Sequence, residues 1–324
     1  MLPRSGRNLV RSASLGVAVM ILMLTMPASA SAAGANRPPL APRSFGVAVP
    51  GLPTNLAVLD ALQSLVGRPS QIVGYFQDFA SGPHFDAVSA TSIRLQGSTP
   101  MLAWQPEDWS GPGANQPNYT LASIINGSYD RLVTRWAREI HAWGHPLLLR
   151  FAPEMNGNWT PWSEGVNGNT AGQYVVAWRH VHDLFVRAGA RNVRWVWNPN
   201  VDFSGSTPLA GLYPGDGYVD AVGLDGYNWG TSQPWSSWQS PAQVFDGTLA
   251  DVRSLTQRPI VLTEVASAEV GGDKAAWITD FFSYLNANPD IRSFVWFDFN
   301  KETDWRVDSS TASTQAFTAG LSGW

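Results

Sequence analysis

From residue 44 onward, eight short apolar runs alternate with stretches of helical periodicity, and few architectures accommodate that order. The runs cover 44–49, 71–79, 100–105, 146–151, 193–198, 219–224, 259–263 and 292–297. Helical patterns fall between most of them, among them 56–66, 129–143, 171–188, 242–255 and 274–286. The runs are nearly continuous in apolar residues, as parallel strands covered on both faces should be. Eight β-α units in one domain predict an α/β fold, a single-domain (β/α)8 TIM barrel. A doubly wound open sheet shows the same alternation, but a Gly-rich phosphate fingerprint does not follow the first run.

The barrel is expected over 44–324, after two segments of a different kind. Arg4, Arg7 and Arg11 precede an apolar run from about Leu15 to Met26, and small residues follow to Ala33. That order reads as a secretory signal peptide at 1–33, cleaved near Ala30 to Ala33, because the apolar run is shorter than the ~20 residues that span a bilayer. Residues 34–43 are rich in Ala, Pro and Gly without periodicity, which predicts an unstructured leader. A secreted, extracellular protein without a membrane anchor is expected, and a monomer.

Charge and composition narrow the function further. Removing 1–33 leaves 18 basic against 25 acidic residues, a formal charge of −7, which does not suit the binding of nucleic acid. With no cysteine among 324 residues, stability has to come from the core rather than from disulfides. The 16 tryptophans are the most unusual entry in the composition. Trp136, Trp143, Trp178 and Trp277 lie inside helical patterns and are expected in the core, whereas Trp104, Trp229 and Trp296 end apolar runs, and Trp159 and Trp162 lie just beyond one.

In a TIM barrel the chemistry gathers at the C-terminal ends of the strands. There the chain places Glu107, Glu154, Asn156, Asn198, Asp225, Tyr227 and Glu264 among these tryptophans. A glycosidic bond is cleaved by two carboxyl groups, one protonating the leaving oxygen and the other attacking the sugar carbon or activating water. Glu154 and Glu264, ending the fourth and seventh runs, would face each other across the barrel mouth. Flat aromatic faces beside amides and carboxylates suit sugar rings, which present C–H faces and hydroxyl edges.

These residues also carry a family resemblance. Arg150-Phe-Ala-Pro-Glu154-Met-Asn156-Gly157-Asn-Trp159 with Trp162, Gly223-Leu-Asp225-Gly-Tyr227, Leu262-Thr-Glu264 and Trp296 resemble glycoside hydrolase family 26, best known for β-mannanases. The resemblance implies the same barrel and a retaining double displacement, with Glu154 as acid/base and Glu264 as nucleophile. It also implies that Arg150 and Tyr227 position Glu264 and that Trp296 floors the site. A cation and a phenol hydroxyl beside Glu264 suit an attacking carboxylate, leaving Glu154 to carry the proton. One position departs from the family: many members have His immediately before the acid/base, and here it is Pro153.

The expected activity is therefore endo-hydrolysis of a β-1,4-mannan-type polysaccharide. Trp104, Arg150, Asn156, Trp159, Trp162, Asn198, Asp225, Tyr227 and Trp296 are the expected substrate-binding residues. The alternatives are an endo-β-1,3-1,4-glucanase on the same scaffold and a catalytically silent polysaccharide-binding protein. Pro153 has no side-chain donor, so telling mannose from glucose falls to Asn156, Asn198 or Asp225, or is absent. No cofactor or metal is expected: His180 and His182 are two apart and diverge on a helix, and the Asp-Gly pairs read as turns.

Overall fold

A computed structural model describes residues 43–324, so the expected signal peptide and leader up to residue 42 lie outside the described residues. Eight parallel strands close into a barrel in chain order: β1 (Ser44–Ala48), β2 (Ile72–Asp78), β3 (Thr99–Gln105), β4 (Leu147–Phe151), β5 (Val193–Trp197), β6 (Ala221–Asn228), β7 (Ile260–Ser267) and β8 (Ile291–Phe297). β1 pairs with β8 from Ser44↔Ser293 to Ala48↔Phe297, which closes the cylinder.

The outer layer holds α1 (Ala57–Val66), α2 (Ala87–Leu95), the short α3 (Leu121–Ile125), α4 (Asp130–Trp143), α5 (Gln173–Arg187), α6 (Pro241–Leu255), α7 (Lys274–Ala287) and α8 (Thr311–Gly323). No helix intervenes between β5 and β6, where the chain makes only a 3-10 turn at Leu209–Gly211. Helix starts follow local chemistry. α6 opens with Pro241 after a capping box of Ser240 and Gln243, and Asp86, Asp273 and Ser310 cap α2, α7 and α8. Among the described residues no helix is long and apolar enough to cross a membrane.

The main core lies between barrel and helices. Trp104 of β3 stacks on Trp136 of α4 at 4.8 Å, and Trp195 of β5 meets Trp178 and Phe185 of α5 at 5.5 and 5.1 Å. Such large side chains, withdrawn from water without a disulfide in support, are the main stabilising term. Within the barrel, small residues let the strands converge: a Cβ on Gly46 would sit 2.8 Å from the Ile72 side chain.

Two strands are longer than the sequence patterns suggest. β6 runs on through Asp225 and Tyr227 to Asn228, and β7 passes Glu264 to reach Ser267, so these residues lie within strands rather than beyond them. β7 also carries a bulge. Leu262 pairs with Phe294 and Val265 with Trp296, so three steps along β7 match two along β8. From β6 the same bulge appears as consecutive partners Leu262 and Glu264 opposite Leu224 and Asp225. A bulge breaks the strict in-out alternation of a strand and re-aims side chains.

Candidate active site

The site is built on the C-terminal halves of β4, β6 and β7. Arg150, the fourth residue of β4, is buried in the barrel and donates through Nη2 to Asp225 Oδ2 at 2.6 Å and to Glu264 Oε1 at 2.8 Å. Its Nε donates to Asn198 Oδ1. Tyr227 donates its hydroxyl to the other oxygen of Glu264, Oε2, at 2.5 Å. Thr263 donates to Asp225 Oδ1 at 2.6 Å, so the bulge lets adjacent Thr263 and Glu264 join one network. Both oxygens of Glu264 are thus oriented by donors, one of them cationic.

Glu154 follows β4 in a constrained turn. Ala152 and Glu154 have φ of 46° and 57°, left-handed values uncommon for residues other than Gly, Asn and Asp. Neighbours hold the turn from several sides: Glu154 N–H donates to Asn198 O at 2.6 Å, Tyr174 hydroxyl to Ala152 O at 3.1 Å and Trp162 Nε1 to Pro153 O at 2.7 Å. The Glu154 carboxyl accepts from Trp159 Nε1 at 2.9 Å. Burial, followed by the negative charge of Glu264, pushes its pKa up to about 7 against the pull of Trp159, Arg150 and Lys301. A carboxyl that holds its proton near neutrality beside an oriented carboxylate is the arrangement acid/base and nucleophile require.

Arg150, Glu154, Trp159, Tyr227 and Glu264 come together as the sequence suggests. Trp159 is 43% exposed and tilts against Phe203 at 5.4 Å, offering an aromatic face beside Glu154. Its position depends on Gly157, where a Cβ would meet the indole at 2.7 Å.

Six expected substrate contacts are placed otherwise. Trp104 and Trp296 are fully buried on the helix side of the barrel, Trp104 against Trp136 and Trp296 against Phe317 at 5.0 Å, so neither offers a face to a sugar. Trp162 is buried and spends its indole N–H on Pro153. Asn156 is buried and exchanges hydrogen bonds with the backbone of Asn200 at 2.8 and 2.9 Å, bracing the loop after β5. Asn198 and Asp225 have no exposed surface and serve Arg150 and Thr263. These three polar groups are buried and engaged within the protein.

The aromatic residue beside Tyr227, which holds Glu264, is instead Trp305, itself 1% exposed, 4.9 Å from Tyr227 and in edge contact with Trp229 at 4.8 Å. It belongs to the loop after β8, and Trp296 supports that loop by donating Nε1 to Trp305 O at 3.0 Å. Its position eight residues beyond β8 leaves no periodic signal from which the placement could be read.

The sequence profile of glycosyl hydrolase family 26 matches residues 114–296. The chain belongs to that family. Among relatives of this chain, endoglucanase H of Acetivibrio thermocellus is 39% identical over 266 residues, 81% of this chain but 28% of the relative. A mannan endo-1,4-beta-mannosidase of Bacillus subtilis is 30% identical over 206 residues, 53% of this chain and 54% of the relative. The chain thus spans little more than half of either curated relative at most. A solved family 26 β-mannanase from Bacteroides ovatus shares the fold with a TM-score of 0.62 at 18% identity, over 86% of this chain and 88% of that one.

Proposed function

We propose that this member of family 26 is an exported endo-acting glycoside hydrolase that cleaves a β-linked glucan with retention of configuration. The observation that carries the hydrolase reading is the pairing of Glu154, with its pKa pushed up to about 7, and Glu264, whose two oxygens are held by Arg150 and Tyr227. In the first step Glu264 attacks the anomeric carbon while Glu154 gives its proton to the departing oxygen, leaving a glycosyl ester. In the second, Glu154 takes a proton from water, which displaces Glu264. Tyr227 and Arg150 fix the attacking carboxylate throughout. Two such carboxyls have no use in a silent binding protein.

Glucan is favoured over mannan by what the site lacks. Mannose differs from glucose in its axial 2-hydroxyl, and a site that selects it needs a polar group aimed there. Position 153 is Pro, and Asn156, Asn198 and Asp225 are buried and engaged elsewhere. The similarity to endoglucanase H points the same way. The second reading, β-1,4-mannan, is supported by the mannosidase relatives. Initial rates on barley-type β-1,3-1,4-glucan, glucomannan and pure mannan separate them. Release from mannan with none from β-glucan would overturn the glucan reading and leave the two glutamates in their roles. NMR of the first-formed reducing end tests retention, and N-terminal sequencing of protein recovered from culture medium tests export and cleavage near Ala30 to Ala33.

A further inference from the structure

A second aromatic surface lies outside the catalytic network, on the connection between β6 and α6. Trp235 is 71% exposed there, its ring 5.1 Å from Trp229 and tilted by 60°. The indole of Trp229 meets Trp305 at 4.8 Å, and Trp305 meets Tyr227 at 4.9 Å, next to Glu264. Trp305 is itself 1% exposed, so the accessible route runs from half-buried Tyr227, beside Glu264, directly to half-buried Trp229 at 6.0 Å and on to Trp235 at the rim of the barrel.

The segment carrying Trp235 is tightly held. Asn228, buried at the end of β6, accepts from Gly230 N–H at 3.2 Å and Gln239 N–H at 2.9 Å, clasping the segment at both ends. Thr231 N–H reaches Val270 O at 3.1 Å, and Ser236 hydroxyl donates to Gly230 O at 2.8 Å. The neighbouring loop packs closely enough that a Cβ on Gly272 would fall 2.3 Å from the Trp238 ring. A lone exposed apolar side chain is ordinary, but Trp235 and half-buried Trp229 form a contiguous aromatic patch on a preorganised segment, which is informative.

The surroundings indicate what covers it. Residues 229–240 contain Thr, Ser and Gln beside three tryptophans and carry no charged side chain. Flat aromatic faces bordered by neutral hydroxyls and amides match the C–H faces and hydroxyl edges of sugars, and continuity with the site places a glycan strand within reach.

We propose that Trp235, backed by Trp229, is a carbohydrate platform that holds a sugar of the polysaccharide away from the bond being cut. The proposal rests on the polysaccharide hydrolase reading and extends it. In Trp235→Ala the KM for β-glucan should rise about five- to tenfold, the worth of one stacking contact, with kcat little altered. Trp235→Phe should recover most of the loss. Electrophoresis through gels containing β-glucan should show retarded wild-type protein and a faster Trp235→Ala variant. Equal retardation and equal KM would overturn the platform while leaving the hydrolase reading intact. Wild-type protein that neither binds nor cleaves any β-glycan would overturn both. Wild-type protein that self-associates with rising concentration, while Trp235→Ala does not and binds glucan equally well, would give the surface to a second copy of the chain instead.

Discussion

Glu154 gives the proposed mechanism its pH signature. Its carboxyl must be protonated to start the reaction, and burial together with Glu264 pushes its pKa up to about 7, so kcat/KM on polysaccharide should fall as pH rises through that region. Glu154→Gln, assayed on an aryl glycoside with an acidic phenol leaving group, should lose that limb. An alkaline limb that persists unchanged would assign the proton to another group. Tyr227→Phe removes the donor to Glu264 Oε2, and a hydrogen bond to a charged group contributes about 1.5–3 kcal/mol, so kcat should fall roughly ten- to a hundredfold. A raised KM with kcat intact would make Tyr227 a substrate contact. At this scale the sequence conveys which residues are special better than what they do. Arg150, Glu154, Tyr227 and Glu264 stand out because carboxyl chemistry and a family motif coincide at strand ends. Whether a residue near a strand end points into the barrel or toward the helices depends on parity and register, so the strand-end positions of Trp104 and Trp296 suggest the site although both face the helix layer.

Among the elements, the loop after β8 depends on a buried cation. Lys274, at the start of α7 and 1% exposed, donates to Asp304 O at 3.2 Å, Arg306 O at 2.7 Å and Ser309 Oγ at 2.8 Å. Burial lowers its pKa to about 8, still above neutral, so the brace is mostly charged at pH 7. The braced loop carries Trp305, and through it supports Tyr227. Lys274→Met should destabilise the protein by about 2–4 kcal/mol by leaving these acceptors unpaired, and should lower kcat through the loosened loop. Urea denaturation beside steady-state rates checks both, and a loss under about 0.5 kcal/mol would show that the acceptors find other donors. Strand and helix order was legible because each long element keeps one period of apolar residues. α2 and α8 show no such period, since AVSATSIRL and TASTQAFTAGLSG carry few large apolar residues and too much Ser, Thr and Gly to signal a helix alone. The bulge in β7 has no signature in the sequence, although it decides where Glu264 points.

Over the whole molecule, closure is a joint product of the two ends of the described chain. β1 is hydrogen-bonded to β8, and α8 covers the seam with Phe317, which meets Phe45, Phe282 and Trp296 at 5.7, 5.7 and 5.0 Å. The guanidinium of Arg43 lies 4.5 Å from the ring of Trp324. Phe317→Ala should cost about 3–5 kcal/mol, since it empties a site shared by strands and helices on both sides of the closure. Calorimetry showing a midpoint within a degree of wild type would place the seam's stability elsewhere. The left-handed turn at Ala152 and Glu154 affects the molecule as a whole in another way. Its backbone favours Gly or Asn, so heat resistance and the proposed chemistry make opposite demands on the residue proposed to carry the proton. A laboratory lineage selected for heat resistance alone would drift toward an inert barrel, and every round of such a selection has to be screened for turnover as well.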